Sequence, residues 1–285
     1  MIHIVGFSGG ADSQATALWC RRNFDPKKVI LLNSDAGGNE HPLTTEFIAR
    51  YSRDVHPVVM LSPEIRDMAG RAKGKIAELG LSPEDPLTFG LLGVLKGCFP
   101  SRKAQFCTQH LKLEPQKRWI DANRAELLSE GFERYAGVRR DESAQRAHVL
   151  EREWDDTFGC WLNRPICTWS KFEVFAYLKS AGEEINPLYT LGFGRVGCAP
   201  CINSSKEDIL LWATRFPEMI DKVRRWEQEA GRTFFRPIVP GLDINWIDQV
   251  VDWSKTVRGG RQYALPLLQA EVDGGLCMSN WGLCE

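Results

Sequence analysis

What the sequence lacks first is an excess of charge of either sign. Its 36 Lys and Arg stand against 37 Asp and Glu, a net charge of −1. No global field therefore draws the chain to nucleic acid or to an acidic membrane, and a nucleic-acid partner would need a local basic patch. No apolar stretch approaches the roughly 20 residues of a membrane span. The opening residues, Met1-Ile2-His3-Ile4-Val5, show no basic region, apolar core or cleavage site of a secretory signal. They read as a first β-strand, so a cytoplasmic protein without a membrane partner is expected. No internal repeat is visible, and no Gly-Lys-Ser/Thr follows the first glycine-rich turn, which excludes a Walker loop.

Cysteine, by contrast, is plentiful. Nine cysteines is an odd number and a large one for a reducing compartment. Clustered cytosolic cysteines are more often metal ligands or redox groups than disulfides.

Short apolar runs alternate with helical patterns. Ile2–Phe7, Val29–Leu32, Pro57–Leu61 and Tyr135–Val138 read as strands; Ser13–Arg22, Thr44–Tyr51 and Pro115–Ser129 read as helices. The alternation predicts an α/β fold, a doubly wound and mainly parallel sheet covered by helices. The stretch from Leu79 to Cys107, rich in Gly, Pro and basic residues, reads as a long loop or cap. Ser170–Ser180 carries a Ser N-cap with Glu173 three residues later, and Lys206–Ala230 is helical with a break near Pro217. Two regions are expected: residues 1–163 as a nucleotide-binding domain, and 164–285 as a Cys-rich helical extension packing on its site.

Between the first strand and the first helix lies Ser8-Gly9-Gly10-Ala11-Asp12-Ser13. Glycines let the backbone approach an anion, and a helix N-terminus offers free N–H groups and the positive end of its dipole. Asp12 beside a phosphate makes sense if Mg²⁺ lies between carboxylate and pyrophosphate, which predicts a surface-directed, metal-linked side chain. The alternative is a turn that Asp12 or Ser13 merely caps. After the second strand, Asp35 can line the same site, meeting a ribose or a metal, or can simply start a turn.

This six-residue string resembles the phosphate loop of the PP-loop ATP pyrophosphatases. Four further stretches resemble the phosphoadenosine-phosphosulfate (PAPS) reductase family within that superfamily. They are Cys107-Thr108-Gln109-His110-Leu111-Lys112, Gly137-Val138-Arg139-Arg140-Asp141-Glu142-Ser143, Arg164-Pro165-Ile166-Cys167-Thr168-Trp169, and Asn186-Pro187-Leu188-Tyr189 continuing to Gly197-Cys198-Ala199-Pro200-Cys201. The resemblance spans about residues 4–201 and implies ATP as ligand with Mg²⁺. It also places Arg139 on a phosphate or sulfate, a task suited to a planar guanidinium. Arg139 and Glu142 could otherwise form a solvated surface pair. Trp169 and Tyr189 read as core aromatics.

Cys198-x-x-Cys201 has the spacing of two thiolates on one metal or cluster. The resemblance implies a [4Fe-4S] cluster that Cys107 shares with this pair. Phe106 stands where cluster-bearing relatives have a second cysteine, so one ligand is missing. Cys284 is the first candidate to replace it and Cys277 the second, ahead of Cys160 and Cys167; Cys20 and Cys98 read as ordinary buried or loop cysteines. A zinc site of Cys198, Cys201, Cys277 and Cys284 fits the same spacings.

Two functions follow from the resemblance. The loop keeps Asp12 and Ser13, and the tail lacks the Glu-Cys-Gly-x-His ending of the reductases. Both points favour an ATP-dependent sulfurtransferase, similar to that of DNA phosphorothioation, that activates its acceptor by adenylylation. Asp12 and Arg139 would be its catalytic residues, with a nucleic-acid acceptor and a sulfur-donor protein as partners. Lys96, Arg102, Lys103, Lys112, Lys117 and Arg118 could hold a nucleic-acid backbone, or form a solvated face. A sulfonucleotide reductase is the alternative, and a non-catalytic nucleotide-binding subunit a third.

Overall fold

The computed structural model describes residues 1–68, 72–236 and 244–256. Strands β1 (Ile2–Gly6), β2 (Val29–Ser34), β3 (Val58–Leu61) and β4 (Phe132–Tyr135) run parallel. A hairpin of β5 (Arg152–Asp155) and β6 (Cys160–Asn163) completes the sheet, with β6 parallel to β4 and β5 antiparallel at the edge. The order is β3-β2-β1-β4-β6-β5. Succession runs outward from β1 in one direction to β3, then resumes on its other side at β4. The crevice for a ligand in such a sheet opens at that reversal, beyond the carboxyl ends of β1 and β4.

Side chains alternate across the strands, and both faces are apolar. Val5, Leu31 and Tyr135 pack with Ala17 and Cys20 of α1 (Ala11–Asn23) and Phe47 and Ile48 of α2 (Pro42–Asp54). Ile4, Leu32 and Phe132 turn to the other face. There they meet Ile120 of α5 (Glu114–Ala122) and Leu127 of α6 (Arg124–Glu130). Between α2 and α5 the chain forms α3 (Lys73–Glu78) and α4 (Phe89–Lys96). Downstream lie α7 (Lys171–Ser180), α8 (Pro187–Thr190), α9 (Lys206–Arg215), α10 (Pro217–Ala230) and α11 (Ile247–Ser254). A further core joins α4 to α9, α10 and α11 through Phe89, Leu92, Trp212, Val223 and Val250. Gly90 permits the closeness of α4 and α10, since a Cβ there would fall 2.3 Å from the Trp226 ring.

Three expectations are corrected. The fourth strand is Phe132–Tyr135, and Tyr135–Val138 mostly forms the loop after it. Pro115–Ser129 is two helices, broken at Asn123. The supposed loop from Leu79 to Cys107 contains α4, capped by the Thr88 hydroxyl, which accepts the Leu91 N–H at 3.1 Å. Gly and Pro at its borders hid an apolar, buried helix. The α7 capping box at Ser170 and Glu173, and the break at Pro217, stand where the sequence put them. Among the described residues no helix is long and apolar enough to cross a membrane.

Candidate nucleotide and thiol site

The loop after β1 closes on itself through its serines. The Ser8 and Ser13 hydroxyls lie 3.1 Å apart, the Ser8 N–H donates to Ser13 Oγ, and Ser13 Oγ donates to the Gly10 carbonyl at 2.9 Å. Gly9 adopts φ +77, which a side chain would resist, and Gly10 is the N-cap of α1 with no side-chain cap. The α1 N-terminus is thus left to backbone groups, the arrangement that suits an anion. One of those groups is already taken: the Ala11 N–H donates to the Tyr189 hydroxyl at 3.0 Å. Asn186 Nδ2 donates to the Gly9 carbonyl at 3.3 Å and to Thr44 Oγ1 at 3.2 Å. Tyr189, read from sequence as a core aromatic, is half-buried against Phe175 and braces the loop as well. Trp169 packs edge-on to Tyr177 as expected of a core ring.

Across the crevice, the loop after β4 leans on the same turn. A Cβ on Gly137 would sit 2.5 Å from the Asp12 carbonyl carbon, so only glycine allows this approach. Two residues on, Arg139 Nε donates to Asp12 Oδ2 at 2.6 Å, and its Nη1 reaches Asp141. Asp12 is 2% exposed and Arg139 7%. The surface-directed Asp12 of the sequence reading is therefore corrected to a buried member of an ion pair, its charge offset by a guanidinium. The solvated Arg139–Glu142 pair is corrected too: Glu142 is buried and pairs with the fully buried Arg146. Burial raises the Glu142 carboxyl above its ordinary range. Asp35, at the end of β2, accepts the Gly38 N–H at 3.0 Å, the turn role that the sequence also allowed.

The second half of the site is built of sulfur. Residues Thr108–Leu113 wind as a turn of π-helix, a feature frequent at functional sites. It carries Cys107 at its start and the buried Lys112 near its end, while Ser34 Oγ donates to the Lys112 carbonyl at 3.0 Å. The Cys198–Cys201 turn docks on the loop after β2. The Ala199 N–H donates to the Asn39 carbonyl at 2.7 Å, and Asn39 Nδ2 to the Pro200 carbonyl at 3.1 Å. Cys107, Cys198 and Cys201 line one cavity together with Lys112 and Arg195. Cys198 and Cys201 hydrogen-bond to each other, which lowers Cys201 to about 6 and raises Cys198. Burial pushes Cys107 up to about 12 and Glu40, beside Cys198, up to about 8. Burial opposes the charge on Lys112, but Cys198, Glu40, Cys107 and Cys201 together outweigh it and its pKa is raised.

Among the described residues, no three His, Cys, Asp or Glu side chains stand close enough to hold a metal ion. The three thiols share a cavity without forming a finished ligand set. Cys160 and Cys167 are buried in other cores and do not line it, and Cys20 is buried under the sheet. Cys277 and Cys284 lie outside the described residues. Lys112, Glu40 and Arg195 were missed or misread from sequence; only their nearness to cysteine motifs could have flagged them. The basic series also breaks up: Arg118 pairs with Glu64 and Asp67, Lys117 pairs with Asp121, and Lys112 is buried.

Comparison with known proteins bears on this geometry. Residues 90–204, which hold the π-turn, the Arg139 loop and the paired cysteines, match the model of the phosphoadenosine phosphosulfate reductase domain. An uncharacterized 37.8 kDa protein of Escherichia phage 186 is 31% identical over 100% of this chain and 97% of its own length. The adenosine 5'-phosphosulfate reductase of Allochromatium vinosum is 35% identical over 36% of this chain. The chain belongs to the PAPS reductase-like family. The match to the Allochromatium reductase spans 36% of that protein's length. Among solved structures, the PAPS reductase of Candida auris overlays with a TM-score of 0.46 at 16% identity, covering 70% of this chain and 81% of that one. The FMN adenylyltransferase of Candida glabrata, in complex with FAD and inorganic pyrophosphate, overlays with a TM-score of 0.42 at 14% identity, covering 69% and 54%.

Proposed function

We propose that this PAPS reductase-like chain is an ATP-using, sulfurtransferase-type enzyme that activates an acceptor by adenylylation and releases pyrophosphate. The observation that carries this reading is the complete loop Ser8–Ser13, whose Asp12 is held at 2.6 Å by Arg139 from the facing loop. In this reading an acceptor oxygen attacks the α-phosphorus of ATP, the bond to the β-phosphate breaks, and pyrophosphate departs along the α1 N-terminus. Sulfur from a donor then displaces AMP. In this reading the positive end of α1 meets the leaving pyrophosphate, and Ser8 and Ser13 fix the curvature of the turn. Arg139 offsets the Asp12 charge and orients it. Mg²⁺, held by Asp12, would neutralise the pyrophosphate as it leaves.

The donor chemistry of the second cavity suits a thiophilic centre: three cysteines with Lys112 and Arg195 beside them to offset thiolate charge. Cys107, Cys198 and Cys201 would hold a [4Fe-4S] cluster, with Cys284, or Cys277 in its place, as fourth ligand; zinc is the rival occupant. Such a cluster would supply electrons when bound.

A second reading, reduction of adenylyl sulfate, is favoured by the family match over residues 90–204. Product analysis separates the two. Anaerobic enzyme given ATP, Mg²⁺ and a sulfur donor should form AMP and pyrophosphate, and should release no sulfite from adenosine 5'-phosphosulfate with a dithiol reductant. Sulfite release without ATP cleavage reverses the assignment.

A further inference from the structure

Beside the thiol cavity lies a larger one of about 590 Å³, sharing with it Ile202 and Ser204. Four cations line it: Arg102, Lys103, Lys206 and Arg236, and among the described residues no Asp or Glu lines it. The sequence scatters them over more than 130 positions, and the fold gathers them. Arg102 and Lys103 are exposed at the tip of a tight turn, closed by paired backbone hydrogen bonds between Ser101 and Ala104 at 3.0 and 3.2 Å. Lys206 begins α9, donates to the Thr256 carbonyl and lies 4.8 Å above the Trp253 ring, so it borders the cavity as an already engaged cation. Arg236 closes the group beside Phe235. In a chain of net charge −1, four lining cations without a lining carboxylate make a local positive site.

The rest of the lining joins Ser101, Ser204 and Ser205 to an apolar wall in which Trp253 is half-buried and Phe234 and Phe235 are buried behind it. Ile209 belongs to the same wall. A bare inorganic anion needs no such wall, whereas a ligand with a planar apolar body and an attached phosphate uses both parts. The volume falls within the range of about 300–1,000 Å³ typical of small-ligand sites.

We propose that this cavity binds a nucleoside phosphate unit, either as a free mononucleotide or as one link of a single-stranded nucleic acid. The cations take the phosphate and the aromatic wall takes the base, the combination by which single strands are held without sequence preference. Its position against the thiol cavity makes such a strand a fitting acceptor. Binding stands apart from the adenylylation reading, and only the acceptor role rests on it.

The test uses the full chain and two probes, fluorescein-labelled oligothymidylate and thymidine monophosphate, with R102E/K103E as the variant. Both side chains are exposed, so the fold should be kept, and an unchanged urea midpoint of the variant verifies this. Oligothymidylate binding that weakens in the variant by about tenfold or more, with a salt slope lower by about 2, supports a strand ligand. Competition by the monophosphate at matching affinity, lost in the variant, supports the free nucleotide. If neither probe binds, or if the variant binds both as the wild type does, the proposal is overturned. Failure of ATP to bind either protein would instead count against the proposed function.

Discussion

Arg139 Nε lies 2.6 Å from Asp12 Oδ2, so the loop after β4 is tied to the first turn of α1 by a buried ion pair at the point where strand order reverses. Removing one partner of a buried pair leaves the other without compensation, at a cost of about 3–5 kcal/mol. Arg139 also reaches Asp141, which is 47% exposed, and this softens the loss. Asp12→Ala should lower stability by about 2–3 kcal/mol as well as abolish pyrophosphate release. Urea denaturation of the two single alanine variants and the double should show a coupling above about 1 kcal/mol. Additive effects would mean the pair is not formed in solution.

Gly137→Ala should be as damaging as losing the ion pair. Its new methyl would overlap backbone of Asp12 and Ser13, which cannot rotate away as a side chain could. Overpacking of this kind costs about 1–3 kcal/mol, and here it also displaces the phosphate loop. We expect a lower urea midpoint and ATP binding weakened at least about tenfold, a difference of about 1.4 kcal/mol. An alanine variant with wild-type affinity would show that the two loops do not meet as described.

Much of this was legible in the sequence, and what was not has physical reasons. The phosphate loop and its flanking strand and helix were evident because glycine and capping chemistry are local. β4 was misplaced because its centre holds Arg134, buried, paired with Asp155 at 2.8 Å and resting 3.4 Å over the Phe158 ring. A charged residue satisfied by distant partners does not look like a strand interior. The hairpin β5–β6 went unread for a related reason: its outward Trp154 and Trp161 stack edge-on at 5.6 Å on an exposed face, blurring the alternation. Asp12 was misjudged because its partner is 127 residues away, and no local pattern announces such a pair. Cys107 and the Cys198–Cys201 turn were linked only by resemblance, and the fold places them at one cavity.

Acid should expose a role for His41. Its Nδ1 accepts the Leu43 N–H at 3.1 Å, capping α2, and its ring lies 4.2 Å from that of Phe216. Burial lowers its pKa below the ordinary 6.5, with Glu218 opposing and Lys222 assisting. The fold therefore prefers the neutral ring, and the stabilisation is complete above the unfolded-state pKa and lost as pH falls below it. Glu40, Glu142 and Glu227, whose pKa values are raised, act in the opposite sense, so only a difference isolates the histidine. The stability advantage of wild type over His41→Asn should shrink between about pH 7.5 and about pH 5.5. A pH-independent difference would rule out this assignment.

If the thiol cavity holds a cluster, anaerobic protein should be brown and carry about four iron and four sulfide per chain. Cys198→Ser should remove both, whereas Cys98→Ser, at a half-buried cysteine that does not line the cavity, should keep them. Elemental analysis of the two variants decides it. One zinc per chain, or full iron in Cys198→Ser, would refute the cluster.

The central claim is that Ser8–Ser13 cradles the pyrophosphate portion of ATP. Calorimetric titration of the wild type with ATP at fixed Mg²⁺, repeated in the presence of inorganic pyrophosphate, tests it most directly. ATP should bind, with an apparent affinity that falls as pyrophosphate is added. No measurable binding, or binding that pyrophosphate leaves unchanged, would contradict it.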